Sequence, residues 1–315
     1  MIRDVFEIQY PGPMTTIQDM GRFGFRKYGI PVSGALDRFS SSVANRLVGN
    51  PMHAPLLETT FLGPRMLALS DCVISLTGAS VNLKINQREK PLWSTLKVRA
   101  GDVVSVGPAK SGVRSYLAIG GGVWSPTVMG SSSTLVAAGL GGFQGRNLQE
   151  GDRIQAGFQE EVPPMLALDD KFIPCFDHQV ILRSVQGPQA DYFDEGLQTF
   201  VSSVYVTTPG ADRMGVRLHG PPMEFRSQSK RTIVSEPSLP GCVQAPPDGQ
   251  PIILLVEQTI GGYAKIATVI SADLDLVAQL RPGDQVNFVI VSLAQARTAR
   301  MDSELGRQSI KFHVS

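Results

Sequence analysis

Cysteine is scarce in this 315-residue chain: Cys72, Cys175 and Cys242 lie far apart and show no C-x-x-C spacing. An odd, scattered set excludes a disulfide framework and a cysteine-rich zinc site, and it points to a reducing compartment. The four histidines, His53, His178, His219 and His313, never fall within a helical turn of one another, so no metal site is expected. Charge of a single sign is also missing. Lys plus Arg number 29 and Asp plus Glu 28, so no net field gathers nucleic acid or an anionic bilayer. No apolar run approaches the ~18 residues of a membrane helix, and the N-terminus lacks a basic region followed by a long apolar one. A cytoplasmic protein with no nucleic-acid and no membrane partner is expected.

The nucleotide-binding and hydrolase motifs are absent too. There is no G-x-x-x-x-G-K-[ST], so ATP chemistry would fall to another chain. Gly139-Leu140-Gly141-Gly142-Phe143-Gln144-Gly145 fails as a dinucleotide fingerprint, because Gln144 stands where a small residue must let helix and strand pack. No G-x-S-x-G elbow occurs.

What is present is β-protein rhythm. Apolar residues reach 42%, enough for a large interior, while 32 Gly and 22 Pro punctuate short apolar runs such as Val103 to Val106 and Ile252 to Val256. A turn-then-strand unit recurs at Gly101-Asp102, Gly151-Asp152 and Gly283-Asp284. Helices are few. Asp37 caps one that runs to about Val48 with Phe39, Val43, Ala44 and Leu47 on one face. Asn50 and Pro51 open a short second one that ends near Glu58. Phe193, Leu197 and Phe200 share a face of a third between Gln189 and Phe200, and Ser271 caps a fourth over 272–280. The fold class is mainly β, two barrel-like or sandwich-like domains with a few short helices. A break around Glu160 to Lys171 divides residues 1–165 from 175–300.

Several polar clusters stand out. Thr15 to Arg22, with Gln18, Asp19 and Arg22, is too polar for a buried strand and reads as a cleft lining or a surface hairpin. Gly120 to Gly122 and Met129 to Thr134 hold the materials of an anion or carboxylate nest, or of a flexible loop. Strand alternation would put Arg213 and Arg217 on one face, placed to grip a carboxylate or solvated on a barrel exterior. Gln258 to Lys265, between apolar strands, reads as a hairpin tip whose Gly261 and Gly262 amides face an oxyanion, or as a plain turn. Arg213, Glu236, Gln258, Tyr263 and Lys265 are the candidate catalytic residues. Gln18, Asp19, Arg22, Met214, Gln244, Thr259, Gly261 and Gly262 are the candidate substrate contacts.

Ten of these clusters follow one another in a familiar order. Gln18-Asp19-x-Gly21-Arg22, Gly34-Ala35-Leu36-Asp37, Leu47-Val48-Gly49-Asn50, Leu57-Glu58, Leu76-Thr77-Gly78-Ala79, Arg114 to Ala118, Met129 to Thr134, Arg213-Met214-Gly215, Ser235-Glu236 and Gln258-Thr259-x-Gly261-Gly262-Tyr263 resemble the biotin-dependent carboxyltransferase, or allophanate hydrolase subunit 2, family. The resemblance runs from about residue 8 to residue 290. The sequence departs from the family pattern at Glu257, where Asp is expected, at Ile260, where Thr is common, and at Ala264, where Pro is common.

This resemblance implies a two-part β fold whose second half is a cyclophilin-like barrel. The family includes the C component of 5-oxoprolinase, the carboxyltransferase part of urea amidolyase and a Kip antagonist of a sporulation-kinase inhibitor. It therefore implies partner chains like the B and A components of 5-oxoprolinase, the former of the allophanate hydrolase subunit 1 type. ATP would be used through the complex, and a small amide would be the substrate. Lactam opening of 5-oxoproline to glutamate comes first among the implied activities. Carboxyl transfer to urea or a similar amide is the alternative; no Ala-Met-Lys-Met attachment sequence occurs here, so biotin would arrive on a separate carrier. A regulatory binding protein without catalysis is the third.

Overall fold

One turn, built three times, organises much of the molecule. In the computed structural model, which describes residues 2–159, 163–193 and 195–314, Gly101, Gly151 and Gly283 have φ of 89°, 85° and 94°. Each following aspartate turns its carboxylate back onto the amide three residues earlier: Asp102 onto Arg99, Asp152 onto Gln149 and Asp284 onto Arg281, at 2.7 to 2.8 Å. Each glycine N–H donates to one residue of a neighbouring segment, Ala68, Ile8 or Thr207. That same residue donates back to the aspartate carbonyl, all at 2.8 Å. A positive-φ glycine and a self-capping aspartate therefore deliver the chain into strands Val103–Val106, Arg153–Gly157 and Gln285–Ile290, as the repeated Gly-Asp pair predicted.

The chain divides into two units, Met1–Phe23 with Ser33–Cys175 and Ile310–Ser315, and Gly24–Val32 with Phe176–Ser309. Residues 160–162, in the expected boundary stretch, lie outside the described residues.

The first unit holds two large antiparallel sheets and a small one that pairs Leu166–Leu168 with Phe312–Val314. Six strands run in the order Arg153–Gly157, Ile2–Tyr10, Arg65–Ala68, Val103–Val106, Leu83–Ile85, Arg88–Lys90, and five in the order Thr15–Gln18, Leu56–Thr60, Ser111–Ile119, Cys72–Ser80, Leu96–Val98. Phe6, Ile8, Met66 and Val104 of the first sheet meet Ile17, Leu57, Ile74 and Leu117 of the second in one apolar core. The alternate residues Leu56, Val73, Tyr116 and Ala118 pack with Ala44 and Val48 at the helix Arg38–Leu47. The central strands are thus covered on both faces, and their polar members Glu58, Ser75, Thr77 and Ser115 are buried with them.

That helix is capped as expected: the Asp37 carboxylate accepts from Ser40 N (2.9 Å) and Ser40 Oγ (2.6 Å). The expected helix after Pro51 does not form. Leu56–Thr60 is a strand paired on both sides, with Thr15–Gln18 and with Ser111–Ile119. Two ladders outweigh a single good first turn. Asn50 spends its side chain elsewhere, donating to Ile119 O and accepting from Gly121 N.

The second unit is a closed barrel of seven strands in the order Gln179–Gln186, Ala264–Val269, Cys242–Ala245, Ile252–Leu254, Gly215–His219, Tyr205–Thr207, Gln285–Ile290. Its interior carries Leu182, Phe200, Tyr205, Val216, Val243, Ile253, Ile266 and Phe288, all nearly inaccessible. The third expected helix appears as a 3-10 turn, Ala190–Tyr192, followed by Gly196–Ser202. The fourth shrinks to a 3-10 turn, Ser271–Asp273, and the short helix Leu274–Val277. Its Ser271 does not cap, and Asp273 instead binds the Arg183 guanidinium and backbone amide. The longest helix, Leu293–Ser309, was not anticipated. It contains no buried residue, and so it lacks the strong apolar stripe by which helices are found. Among the described residues no helix is long and apolar enough to cross a membrane.

Candidate functional site

In the second unit the strands Cys242–Ala245 and Ala264–Val269 run antiparallel, with Gln244 directly opposite Lys265 after an irregularity in register at Val243. Cross-strand partners point to the same side of a sheet, so the amide of Gln244 and the ammonium of Lys265 share a face. A two-stranded ribbon lies against them, Glu236–Pro237 paired with Ile260–Gly261, in which Glu236 is opposite Gly261. Gly261 lies close against Gln244: a Cβ there would stand 2.3 Å from Gln244 Nε2. Lys265 Nζ lies 2.5 Å from Glu236 Oε1. Four residues foreseen separately, Gln244, Lys265, Glu236 and Gly261, are thereby brought into one cluster.

The electrostatics of this cluster are uneven. Lys265 is 4% exposed, and its ion pair with the half-exposed Glu236 is the route by which its charge reaches solvent. Hydrogen bonds from Lys265 and then Gln189 hold the Glu236 carboxyl below the usual carboxylate range. Gln244 is 3% exposed, and its Nε2 has no acceptor among the described residues. A buried donor left unpaired costs about 1–3 kcal/mol, a penalty that an incoming acceptor oxygen would remove. Chemically, the arrangement offers a proton donor, a carboxylate and a neutral hydrogen-bond donor for a substrate oxygen.

The other expected residues are placed differently. Segment 255–263 is not a hairpin tip. Strand Cys242–Ala245 lies between Ile252–Leu254 and Ala264–Val269 and is antiparallel to both, so those two are parallel and the segment crosses over. Alternating hydrophobicity reveals strands but not which strands pair. Within the crossover Gln258 Nε2 donates to the Ile260 carbonyl, the Thr259 carbonyl accepts from Ser238 N, and the Gly262 carbonyl accepts from Ile233 N. Arg26, in the Gly24–Val32 segment, donates to the carbonyls of Ser238 and Gln258 and ties the two sides together. Tyr263 and Met214 stand exposed.

Arg213 and Arg217 do not share a face. Arg213 sits in the bend before strand Gly215–His219, buried, with Nε 2.6 Å from Glu257 Oε1, whereas Arg217 is exposed. The Asp212 carboxylate shapes that bend by accepting from the amides of Met214 and Gly215. A bend, not an extended strand, connects the two arginines, and the period of two therefore does not apply.

Gln18, Asp19 and Arg22 belong to the first unit, in a network of their own. Thr15–Gln18 is a fully buried strand after all, because its polar groups are paired. Gln18 donates to Thr16 Oγ1 and Thr134 O and accepts from Gly34 N, and Thr15 Oγ1 donates to Pro11 O. The carboxylate nest anticipated around residues 129–134 exists, and Asp19 fills it. Its Oδ1 accepts from Gly21 N, Ser131 Oγ and Ser133 Oγ, and its Oδ2 from Ser132 N. Arg22, entirely buried, donates to the Ser133 carbonyl at 2.6 Å. Glu58 and Tyr116 complete the support by accepting from the amides of Leu36 and Asp37. Burial, and then the charges of Glu58 and Asp37, push the Tyr116 phenol well above its ordinary range, so it stays neutral.

Gln189 was missed as a site residue. It binds both Glu236 and the backbone of Lys265, and its one signal in the sequence is a glutamine held behind a Gly187-Pro188 turn. Among the described residues no three of His, Cys, Asp and Glu converge as a metal-ligand set. Burial pushes the Cys72 thiol up to about 12, far from the range of a reactive thiolate.

Comparison with known proteins places this geometry. Residues 28–290 match the model of the carboxyltransferase domain, subdomain A and B. The chain is 38% identical over 297 residues to the C component of 5-oxoprolinase from Escherichia coli, covering 93% of each chain. It is 34% identical to the Haemophilus influenzae protein of the same name, covering 94% of each. The K. lactis urea amidolyase structure superposes with a TM-score of 0.90 at 30% identity over 96% of this chain. This chain spans only 20% of that much longer one. With most of its length inside one family model and a full-length relative at 38% identity, the chain belongs to the carboxyltransferase family of the subdomain A and B type.

Proposed function

We propose that this chain is the C component of an ATP-dependent 5-oxoprolinase and forms the site at which the lactam of 5-oxoproline is opened to L-glutamate. End-to-end similarity to the two proteins of that name supports this reading over the fused enzymes. The observation that carries it is the ion pair of buried Lys265 with half-exposed Glu236 beside the Gln244 amide, whose Nε2 lacks an acceptor among the described residues. Opening an unstrained lactam requires three things: a donor to the carbonyl oxygen, a proton for the departing nitrogen, and a nucleophilic oxygen. Gln244 Nε2 supplies the first. Lys265 Nζ supplies the second: as the C–N electron pair passes to nitrogen, the proton follows from the ammonium, which is recharged from solvent water and stabilised again by the ionised Glu236. Water supplies the third, its remaining proton released to bulk. Two further chains, resembling the B and A components of 5-oxoprolinase, complete the enzyme. ATP is bound by those partners, in keeping with the missing P-loop here.

A second reading has its own support in the urea amidolyase superposition: carboxyl transfer from biotin on a separate carrier to a small amide. In it Gln244 would face the ureido oxygen, and biotin would be a carrier-borne group that this chain only orients. One reconstitution separates the two. The chain combined with its B-like and A-like partners is expected to release glutamate from 5-oxoproline only with ATP, and Lys265→Met is expected to slow that release about 10³-fold. ATP-dependent bicarbonate incorporation into urea, with no glutamate formed, would replace the first reading by the second.

A further inference from the structure

The turn Gly187-Pro188-Gln189 runs along the backbone of the strand that carries Lys265. Gly187 N donates to Ile266 O (2.8 Å), and Gln189 N donates to Lys265 O (3.2 Å). The approach is close enough that a Cβ on Gly187 would fall 2.3 Å from the Lys265 carbonyl oxygen, so only glycine permits it. The side chain of Gln189 then continues the ladder. Its Oε1 accepts from Lys265 N (3.0 Å) and its Nε2 donates to Glu236 Oε1 (3.0 Å).

The two ends of a carboxamide have nearly the same shape, and only hydrogen-bond logic tells them apart. Here the logic is unambiguous. Lys265 N is a donor, so it requires Oε1, and that choice turns the NH2 group toward Glu236. Glu236 Oε1 consequently faces two donors, Gln189 Nε2 and Lys265 Nζ (2.5 Å). An oxygen between two donors serves as an acceptor and has no direction left in which to offer a proton of its own. Among the described residues, Lys265 is the charged side chain in contact with this carboxylate and Gln189 the neutral one.

We infer that Gln189 is a positioning residue: by gripping the Lys265 backbone and the Glu236 carboxylate at once, it holds Glu236 as an ionised acceptor and leaves Lys265 as the proton donor of the cluster. The catalytic consequence rests on the lactam-opening reading above; the hold on Glu236 does not. The depressed titration range of Glu236 agrees with it.

Two variants of the full chain test the idea. Gln189→Leu removes both bonds. Gln189→Glu keeps the size and the acceptor toward Lys265 N while replacing the donor toward Glu236 with a carboxylate, so it is expected to preserve the turn. Carbon-detected NMR titration of the Glu236 carboxyl, assigned with a Glu236→Gln control, should show its midpoint rise by about one pH unit in Gln189→Leu and by more in Gln189→Glu. In the reconstituted complex the acidic limb of kcat should move upward with the same shift while KM changes less. An unchanged Glu236 midpoint in both folded variants overturns the inference. A raised midpoint supports it even where the wild-type complex releases no glutamate, an outcome that would remove the lactam reading alone.

Discussion

Asp19 in the first unit and Gln244 in the second were both singled out in the sequence as candidate substrate contacts. Their environments are opposite. The Asp19 carboxylate accepts four hydrogen bonds from its own unit, and three consecutive serines are committed to it. Gln244, on a barrel strand and 3% exposed, leaves its Nε2 with no acceptor among the described residues. Native proteins rarely tolerate the second condition, since an unpaired buried donor costs stability that an apolar residue of the same shape would not. On the proposed reading, a carboxylate whose bonds are complete does structural work, whereas an unpaired buried donor beside the Lys265–Glu236 ion pair is poised for a ligand. Polarity in the sequence does not distinguish them; the completeness of the bonding does.

The contrast is most sharply broken at Asp19. Asp19→Ala strands four donors, and at about 1–3 kcal/mol each, partly relieved by solvent, the expected loss is about 5 kcal/mol in urea unfolding. Catalytic loss with unchanged unfolding would overturn its structural assignment. Lys265→Met is expected to behave in the reverse manner. On the proposed reading the rate of the reconstituted complex falls about 10³-fold, the size of a general-acid contribution, while the far-UV spectrum is retained. Gln244→Leu refines the comparison further: a drop of about 10²-fold in kcat is expected together with stability equal to or slightly above wild type, because the orphan donor is gone. Clear destabilisation by Gln244→Leu would mean that Nε2 is satisfied in solution. The smallest effect is one of pH. The folded-state pKa of Glu236 is depressed, so its contribution to stability is present above the unfolded carboxyl range and fades as pH falls through the lower folded value. Comparing acid unfolding of the wild type with Glu236→Gln should reveal a slightly shallower pH dependence in the variant.

Much of the local structure was readable because its causes are local. The Gly-Asp turns need only a residue tolerant of positive φ and a side chain that reaches back three positions, and all three formed. The helix after Asp37 formed from its cap and its apolar face. The failures share a different origin. Pro51 offered a good first turn, yet two flanking ladders claimed Leu56–Thr60. Thr15–Gln18 looked too polar to bury, yet Gln18 is satisfied by Thr16, by Gly34 and by Thr134, the last 116 residues away. Leu293–Ser309 escaped notice because it buries nothing.

The same division holds for the candidate site. Glu236, Gln244, Gly261 and Lys265 were each legible as members of short polar or glycine-bearing clusters, since composition is a property of short segments. That Gln244 stands opposite Lys265, that Glu236 pairs with Gly261, and that Gln189 reaches across to both was decided only when distant segments closed into a barrel. The sequence by itself determined a mainly β chain, its turns, its capped helix and its family. Tertiary structure alone decided which polar groups are satisfied, because a hydrogen bond depends on where its partner lies in space, and neither spacing nor hydrophobic period records that.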